Sequence, residues 1–412
     1  MNIKIILILT IIFPMQAKSQ DNPIEKIFKN HPELFKEVLV DDNQKEIQII
    51  YSQINRDKNN IANFKTFSYH VDKKHYFYPA STIKLPAAIF ALEKLNELNI
   101  NGLDKNTSLK IGKEFGKQTK VDEDLSSGNG LPSIAHYIKK ILLVSDNDAY
   151  NRLYEFVGRN DINQKLKKHG FKNSRIISRL SVNDGADNAR YTNPFTFYSN
   201  NQEIFHQAQQ FDPNDYPLKL NGLLKGKGYL DNKDSLILQP FNFADKNAFS
   251  LQDQHLLMQK LMFPESFSKR EQFNLKPSDY QFLYTYMSKY PTENIKPNYQ
   301  SPDYYPTYCK FLFYGADKNI SPNPNIRIFN KVGDAYGYTI DNMYFIDYEN
   351  NVEFILSAVV QSNNNQIYND NTYEYETICL PFLKNLGHII YNLELKRVRK
   401  NIPKLDKFLP YK

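Results

Sequence analysis

With 412 residues, 41% of them hydrophobic and 28 Phe beside 29 Tyr, the chain holds enough apolar material for a sizeable packed core, which excludes global disorder. The length exceeds the roughly 100–200 residues of a usual single domain, yet one large two-lobed domain fits it as well as two domains do. The formal net charge of +7 is modest, and no Lys/Arg block with interleaved aromatics occurs, which argues against a nucleic-acid partner.

Met1-Asn2-Ile3-Lys4, an apolar run over 5–15 and then Ala17-Lys18-Ser19 give a basic start, an apolar centre and a small-x-small site. That is the pattern of a secretory signal peptide over residues 1–19. The apolar run is shorter than the ~20 residues a spanning helix needs. No Cys follows it to carry a lipid. The expectation is a periplasmic or secreted protein, with no stable membrane insertion after cleavage. In such an oxidising compartment a disulfide between Cys309 and Cys379, or two separate buried thiols, are both open. The eight His show neither H-x-x-x-H nor a Cys/His cluster, so no metal is expected.

Apolar residues at Ile24, Ile27, Phe28, Leu34, Phe35 and Val38 predict a helix over 23–39. Two β-rich runs, 46–54 and 64–70, flank a polar stretch suited to a hairpin turn. From 81 to 98 the pattern becomes helical, with Leu85, Ile89, Leu92 and Leu95 on one face, and 131–166 is rich in further helical pattern. Residues 198–249 are rich in Asn, Asp, Lys and Gly, an insertion with a hairpin expected within 223–243. Helices are predicted over 250–262 and 277–290, followed by a Pro/Asn/Tyr-rich excursion over 294–325. Strands at 326–332, 343–348 and 352–360 and a helix over 374–397 close the chain. Strands at both ends with helices between them imply one discontinuous sheet. The expected lobes are a sheet lobe from 20–80 and 320–412 and a helical lobe from 81–319.

Three short motifs carry chemistry. Ser81-Thr82-Ile83-Lys84 puts a hydroxyl and an amine on one helix face, where the amine lowers the cost of deprotonating the hydroxyl. S-x-x-K also occurs on ordinary surface helices, but here Tyr78-Pro79-Ala80 and an apolar helix surround it. Ser145-Asp146-Asn147 follows an apolar run at a turn between helices, and taken alone is a good N-cap sequence. Lys331-Val332-Gly333 ends a strand, with Gly337 in the next turn, and any strand end can carry Lys and Gly.

In the order S-x-x-K, S-D-N, K-x-G, the set resembles the class A β-lactamase family, whose third member is K-T-G. The run from Lys331 to Asn342 looks like that family's K-T-G strand and its turn, and the resemblance spans most of 40–400. It implies an α/β (α+β) chain of the β-lactamase/transpeptidase-like fold: an antiparallel sheet flanked by helices, plus a mostly helical lobe. It also implies a serine hydrolase without cofactor, acting as a monomer on a small-molecule or peptidoglycan-derived amide. Ser81 would attack the carbonyl carbon and Lys84 would act as base or relay. Ser145 would carry the proton to the leaving nitrogen, Asn147 would hold the substrate amide and Lys331 would attract its carboxylate. The N–H groups of Ser81 and Asp334, beside Gly333, would form the oxyanion hole. Asp146 would be a buried structural carboxylate.

Two departures qualify the likeness. The family activates water with a Glu in an E-x-x-L-N loop, yet no Glu occurs between Glu155 and Glu203. Arg179-Leu180 resembles the start of that loop, and Asp184-Gly185-Ala186-Asp187-Asn188 keeps the spacing from acid to asparagine. Asp184 is the candidate base, with roughly 1.5 Å less reach than Glu, unless this is only an Asp-Gly turn. Val332 replaces the hydroxyl residue of K-T-G, and Asp334 puts a negative charge where an anionic substrate would lie. The expected activity is opening of a β-lactam or related amide. A D-Ala-D-Ala peptidase or esterase of the cell envelope, and a non-hydrolysing penicillin-binding or scaffold protein, are the alternatives.

Overall fold

The computed structural model describes residues 22–40, 45–182 and 185–409, so the segment 1–19 expected to be a signal peptide and Asp184 lie outside the described residues. Its centre is a five-stranded antiparallel sheet of β1 (Gln48–Arg56), β2 (Ala62–Tyr69), β3 (Ile326–Ala335), β4 (Tyr338–Asp347) and β5 (Val352–Gln361). The order is β3-β4-β5-β1-β2, which leaves β3 as an edge. Strands from the two ends of the chain thus meet where β1 pairs with β5, Tyr51 opposite Leu356. Their side chains alternate between two cores, as the two-residue period of a strand requires. Ile49 and Tyr51 enter the outer core and Ile50 and Ile54 the inner one.

β3 and β4 run further than the hydrophobic pattern predicts, because the connection is a tight turn. Tyr336 (φ 54°) and Gly337 (φ 80°) both occupy left-handed backbone, the geometry whose twist matches a hairpin. A Cβ on Gly337 would come within 2.5 Å of the Ser362 carbonyl oxygen.

The outer core is covered by α1 (Pro23–Asn30), α2 (Pro32–Leu39) and the C-terminal helix Leu380–Lys396. The single helix expected over 23–39 is two, because Pro32 disfavours helical backbone at His31 (φ −133°, ψ 50°). The C-terminal helix begins with a wider π-turn, Tyr375–Cys379. Between the inner core and the helical lobe come α3 (Lys84–Leu98), α4 (Ile134–Val144), α5 (Asn147–Val157), α6 (Arg159–Lys168), α7 (Leu251–Met262) and α8 (Pro277–Ser288). α3 is buried from Lys84 to Leu95, the signature of a central core helix rather than an amphipathic surface one.

The 198–249 region is more ordered than an excursion. Phe195–Ser199 and Gln202–Gln207 form a hairpin on Ser108–Ile111, a small sheet whose strands are too short to stand out by pattern. The hairpin expected within 223–243 is present as Leu224–Lys225 on Phe241–Asn242, with Gly228–Leu230 pairing both Leu236–Ile237 and, in parallel, Ile367–Tyr368. The 294–325 segment is pinned to β3 and β4 by buried polar groups. Lys310 Nζ donates to the Met287 and Ile328 carbonyls (2.7 and 2.8 Å) and to Asn330 Oδ1 (2.7 Å). Asp341 accepts from Asn330 Nδ2 and from the Leu312 N–H, both at 2.9 Å. Cys309 and Cys379 are both buried and free. Among the described residues no helix is long and apolar enough to cross a membrane.

Candidate active site

Ser81 does not lie in an α-helix but in the 3-10 turn Ala80–Ile83, which passes directly into α3 at Lys84. In 3-10 geometry side chains three residues apart eclipse, which keeps Ser81 and Lys84 on one side of the turn. The turn is tied to Pro79, whose carbonyl accepts from the Thr82 N–H (3.1 Å) and hydroxyl (2.6 Å). Ala80, just before Ser81, has φ 46°, a left-handed conformation unfavourable for a residue with a Cβ. The buried aromatics Phe77 and Tyr78 hold it there, the latter edge-on to Tyr336 across the start of the turn.

Ser145 caps α4 with φ 60°, its N–H bonded to the Ile141 carbonyl (3.0 Å), which turns its side chain back into the cleft. Asp146 is the N-cap of α5, accepting from the Ala149 N–H (2.8 Å). It is part-exposed rather than the buried carboxylate expected, and it meets the helix end and, at 3.8 Å, Lys140 Nζ. Asn147 follows as the first residue of α5.

Two buried amines meet at this cap. Lys84 Nζ donates to the Ser145 carbonyl, to Asn147 Oδ1 (2.6 Å) and, more loosely, to Ser145 Oγ (3.3 Å). Lys331 Nζ donates to the same Ser145 Oγ (2.8 Å) and to the Val332 carbonyl (2.7 Å). Both are almost wholly removed from solvent, which disfavours the charged form. Burial, then the like charge of Lys331, holds Lys84 well below the ordinary lysine range. Burial brings Lys331 down to about 8.

Strand alternation puts Lys331 and Gly333 on the face of β3 toward Ser81, and Val332 and Asp334 on the other. A Cβ on Gly333 would stand 2.8 Å from the Ser81 nitrogen and 3.0 Å from the Pro79 oxygen, both backbone atoms. The glycine therefore lets the edge strand press against the Ser81 turn. Val332 is swallowed by the outer core. Asp334 emerges exposed at the rim. Although the side chain reaches the surface, desolvation raises its carboxyl, with Lys331 and then Lys84 pulling the other way.

Ser81, Lys84, Ser145, Asn147, Lys331, Gly333 and Asp334 are thus gathered at one edge of the sheet. Asp184 lies outside the described residues, but the chain leading to it is anchored. Asn151, one turn after Asn147, clamps Leu180 through both backbone groups, donating to its carbonyl (2.9 Å) and accepting from its N–H (2.8 Å). Ser181 Oγ then accepts from Asn147 Nδ2 (2.8 Å). Arg179 pairs with the buried Glu155 (2.6 Å) and donates to the Asn188 (2.5 Å) and Tyr191 (3.5 Å) carbonyls, drawing the two ends of the loop together. Asn151, Glu155 and Ser181 were not singled out by sequence. The only signal for Asn151 is its four-residue spacing from Asn147, which puts both on one face of α5.

An antiparallel sheet between helical layers, with a Ser-Lys turn against its edge strand, defines the β-lactamase/transpeptidase-like class of folds. The chain belongs to the β-lactamase enzyme family, whose model matches residues 33–391, which makes it a hydrolase. No curated protein matches it. Among solved structures it is similar to a β-lactamase from Sphaerobacter thermophilus, with 10% identity over 90% of this chain and 98% of that one and a TM-score of 0.49. An ancestral class A β-lactamase is 12% identical over 89% of this chain and 99% of its own, with a TM-score of 0.48. PBP-A is 15% identical over 87% and 96%, with a TM-score of 0.46.

Proposed function

We propose that this protein is a serine hydrolase that opens a β-lactam or related amide through an acyl-Ser81 intermediate released by water. The observation that carries the reading is the placement of Ser145 Oγ between two buried amines, 3.3 Å from Lys84 Nζ and 2.8 Å from Lys331 Nζ, beside the Ser81 turn. Deprotonated Lys84 takes the Ser81 proton, either directly or through Ser145. Ser145, which already accepts from Lys331, passes a proton to the leaving nitrogen. The N–H groups of Ser81 and Asp334 receive the developing oxyanion, an arrangement supported by the close packing of Gly333 on the Ser81 nitrogen. Asn147 positions the substrate amide.

Release of the acyl group is assigned to Asp184. Its support is the Ser181–Asn147 hydrogen bond, which brings the loop to the cleft three residues earlier, within about 10 Å of extended chain. We place the protein in the periplasm or outside the cell, acting as a monomer on a small-molecule or peptidoglycan-derived substrate. A second reading, acylation with slow or no release, is favoured by the residue that Asn151 clamps, the apolar Leu180 with no carboxylate to activate water. An envelope D-Ala-D-Ala peptidase or esterase would use the same machinery. Hydrolysis of a chromogenic cephalosporin by wild type and Ser81→Ala tests the proposal. Turnover lost in the variant supports it, and equal rates reject Ser81 as nucleophile.

A further inference from the structure

We propose that the protein carries a second ligand site, outside the Ser81 cleft, that takes a small aromatic carboxylate. The inference goes beyond the proposed hydrolysis and does not depend on it. The site is a cavity of about 320 Å³ between α8, the start of β3 and the C-terminal segment, and its lining includes Tyr284, Lys289, Arg327, Phe329, Phe408 and Leu409. That volume falls within the roughly 300–1,000 Å³ of small-molecule pockets. None of Ser81, Lys84, Ser145, Asn147 and Lys331 lines it.

Three buried rings close the base of the cavity. The Phe408 ring lies 5.4 Å from Phe329 and 5.3 Å from Tyr284, and Tyr284 stands edge-on to Phe329 at 6.3 Å. The Tyr284 hydroxyl donates to the Leu261 carbonyl (2.7 Å), which fixes that ring, and Leu409 leaves half of its surface open beside the three. A further ring packs on such a base at little entropic cost. The rim is cationic. Arg327 Nη2 donates to Glu293 Oε1 (2.9 Å), with the Tyr290 ring 4.9 Å from the guanidinium, and a guanidinium has five donors in a fork that matches a carboxylate. Lys407, also on the rim, pairs with Glu265 (2.8 Å). Lys289 Nζ stands over the Tyr286 ring at 5.8 Å and makes no salt bridge among the described residues. Lys289, Arg327 and Lys407 thus face only Glu293 and Glu265, an excess of positive charge that attracts an anion and repels an amine.

The test titrates wild type by calorimetry with phenylbutyrate, phenylbutanol and phenylbutylamine, which share ring and chain and differ in charge. The carboxylate is expected to bind about tenfold more tightly than the alcohol, the gain from one charge-assisted pair at a half-open site, and the amine more weakly than either. Lys289→Gln and Arg327→Gln should each remove most of that preference. Thr285→Trp, which fills the cavity from a half-buried position on α8, should abolish binding of all three. Phe329 lies two residues before Lys331, about 7 Å along β3, so Lys331→Ala serves as the control for binding in the Ser81 cleft and should leave the affinities unchanged. Thermal melts confirm folding, and three positions are varied so that one unstable variant leaves two. No saturable binding of the carboxylate, equal affinity for carboxylate and alcohol, or binding lost in Lys331→Ala yet kept in Lys289→Gln and Arg327→Gln overturns the site.

Discussion

Around Ser145 the cleft is knit by ionisable side chains, with two lysines from α3 and β3 converging on one serine. Around Leu180 the loop is held by an asparagine gripping its backbone, and the side chain turned inward is apolar. The first region holds the groups to which the proposed mechanism assigns acyl-enzyme formation. The second has a well-anchored frame, and the proposed mechanism leaves water activation to Asp184 further along. If the proposed mechanism holds, the contrast teaches that forming and releasing the acyl-enzyme are built from separable parts of the fold, and each can be disturbed without the other.

The largest effect is expected from Gly333→Ala. Its Cβ would meet the Ser81 nitrogen at 2.8 Å, between backbone atoms that cannot swing aside. Displacing an oxyanion donor predicts a loss of about 10²-fold or more in acylation rate. Overpacking adds a stability loss of about 1–3 kcal/mol. Stopped-flow acylation and thermal melts read the two separately, and an acylation rate near wild type would remove Gly333 from the account. Next is Asp184→Asn, expected to leave the acylation burst intact while slowing release about 10- to 100-fold. Pre-steady-state kinetics measures both phases, and unchanged release means another group activates the water.

Asn151→Ala should cost about 1–3 kcal/mol, since both backbone groups of Leu180 lose their partner. It should slow release more than acylation, and the reverse order would contradict the separation of the two regions. The smallest expected effect is a shift in pH dependence. Acylation needs neutral Lys84, so its rate rises as pH climbs through the Lys84 pKa, which burial and then Lys331 hold well below the ordinary lysine range. Removing the Lys331 charge raises that pKa, so the acid limb in Lys331→Ala moves to higher pH. A limb that stays put or moves down would show that Lys84 is not the titrating base.

Much of the acylating half is legible in the sequence because its motifs are local. Ser81 to Lys84, Ser145 to Asn147 and Lys331 to Gly333 each sit within one turn or strand end. The central strands are legible in part: β4 and β5 are buried along their length, but Thr339, Asp341 and Asn342 interrupt the apolar pattern of β4, so only its later half stands out in the sequence. The left-handed Ala80 is not, because nothing in its residue type marks it and the conformation belongs to the tertiary setting of the turn. The Asn151 clamp and the Lys310–Asn330–Asp341 network are also illegible, since each joins residues far apart in sequence through polar side chains that carry no periodicity. The split at His31 was readable from Pro32, and the strong apolar spacing across 23–39 masked it.

The most direct measurement is the intact mass of wild type and Ser81→Ala after exposure to a penicillin and to a neutral thioester. The account predicts a covalent acyl adduct on wild type with at least one of them, mapped to the peptide containing Ser81 and missing from the variant. The same adduct on Ser81→Ala, or turnover by wild type with its adduct on another residue, would contradict it.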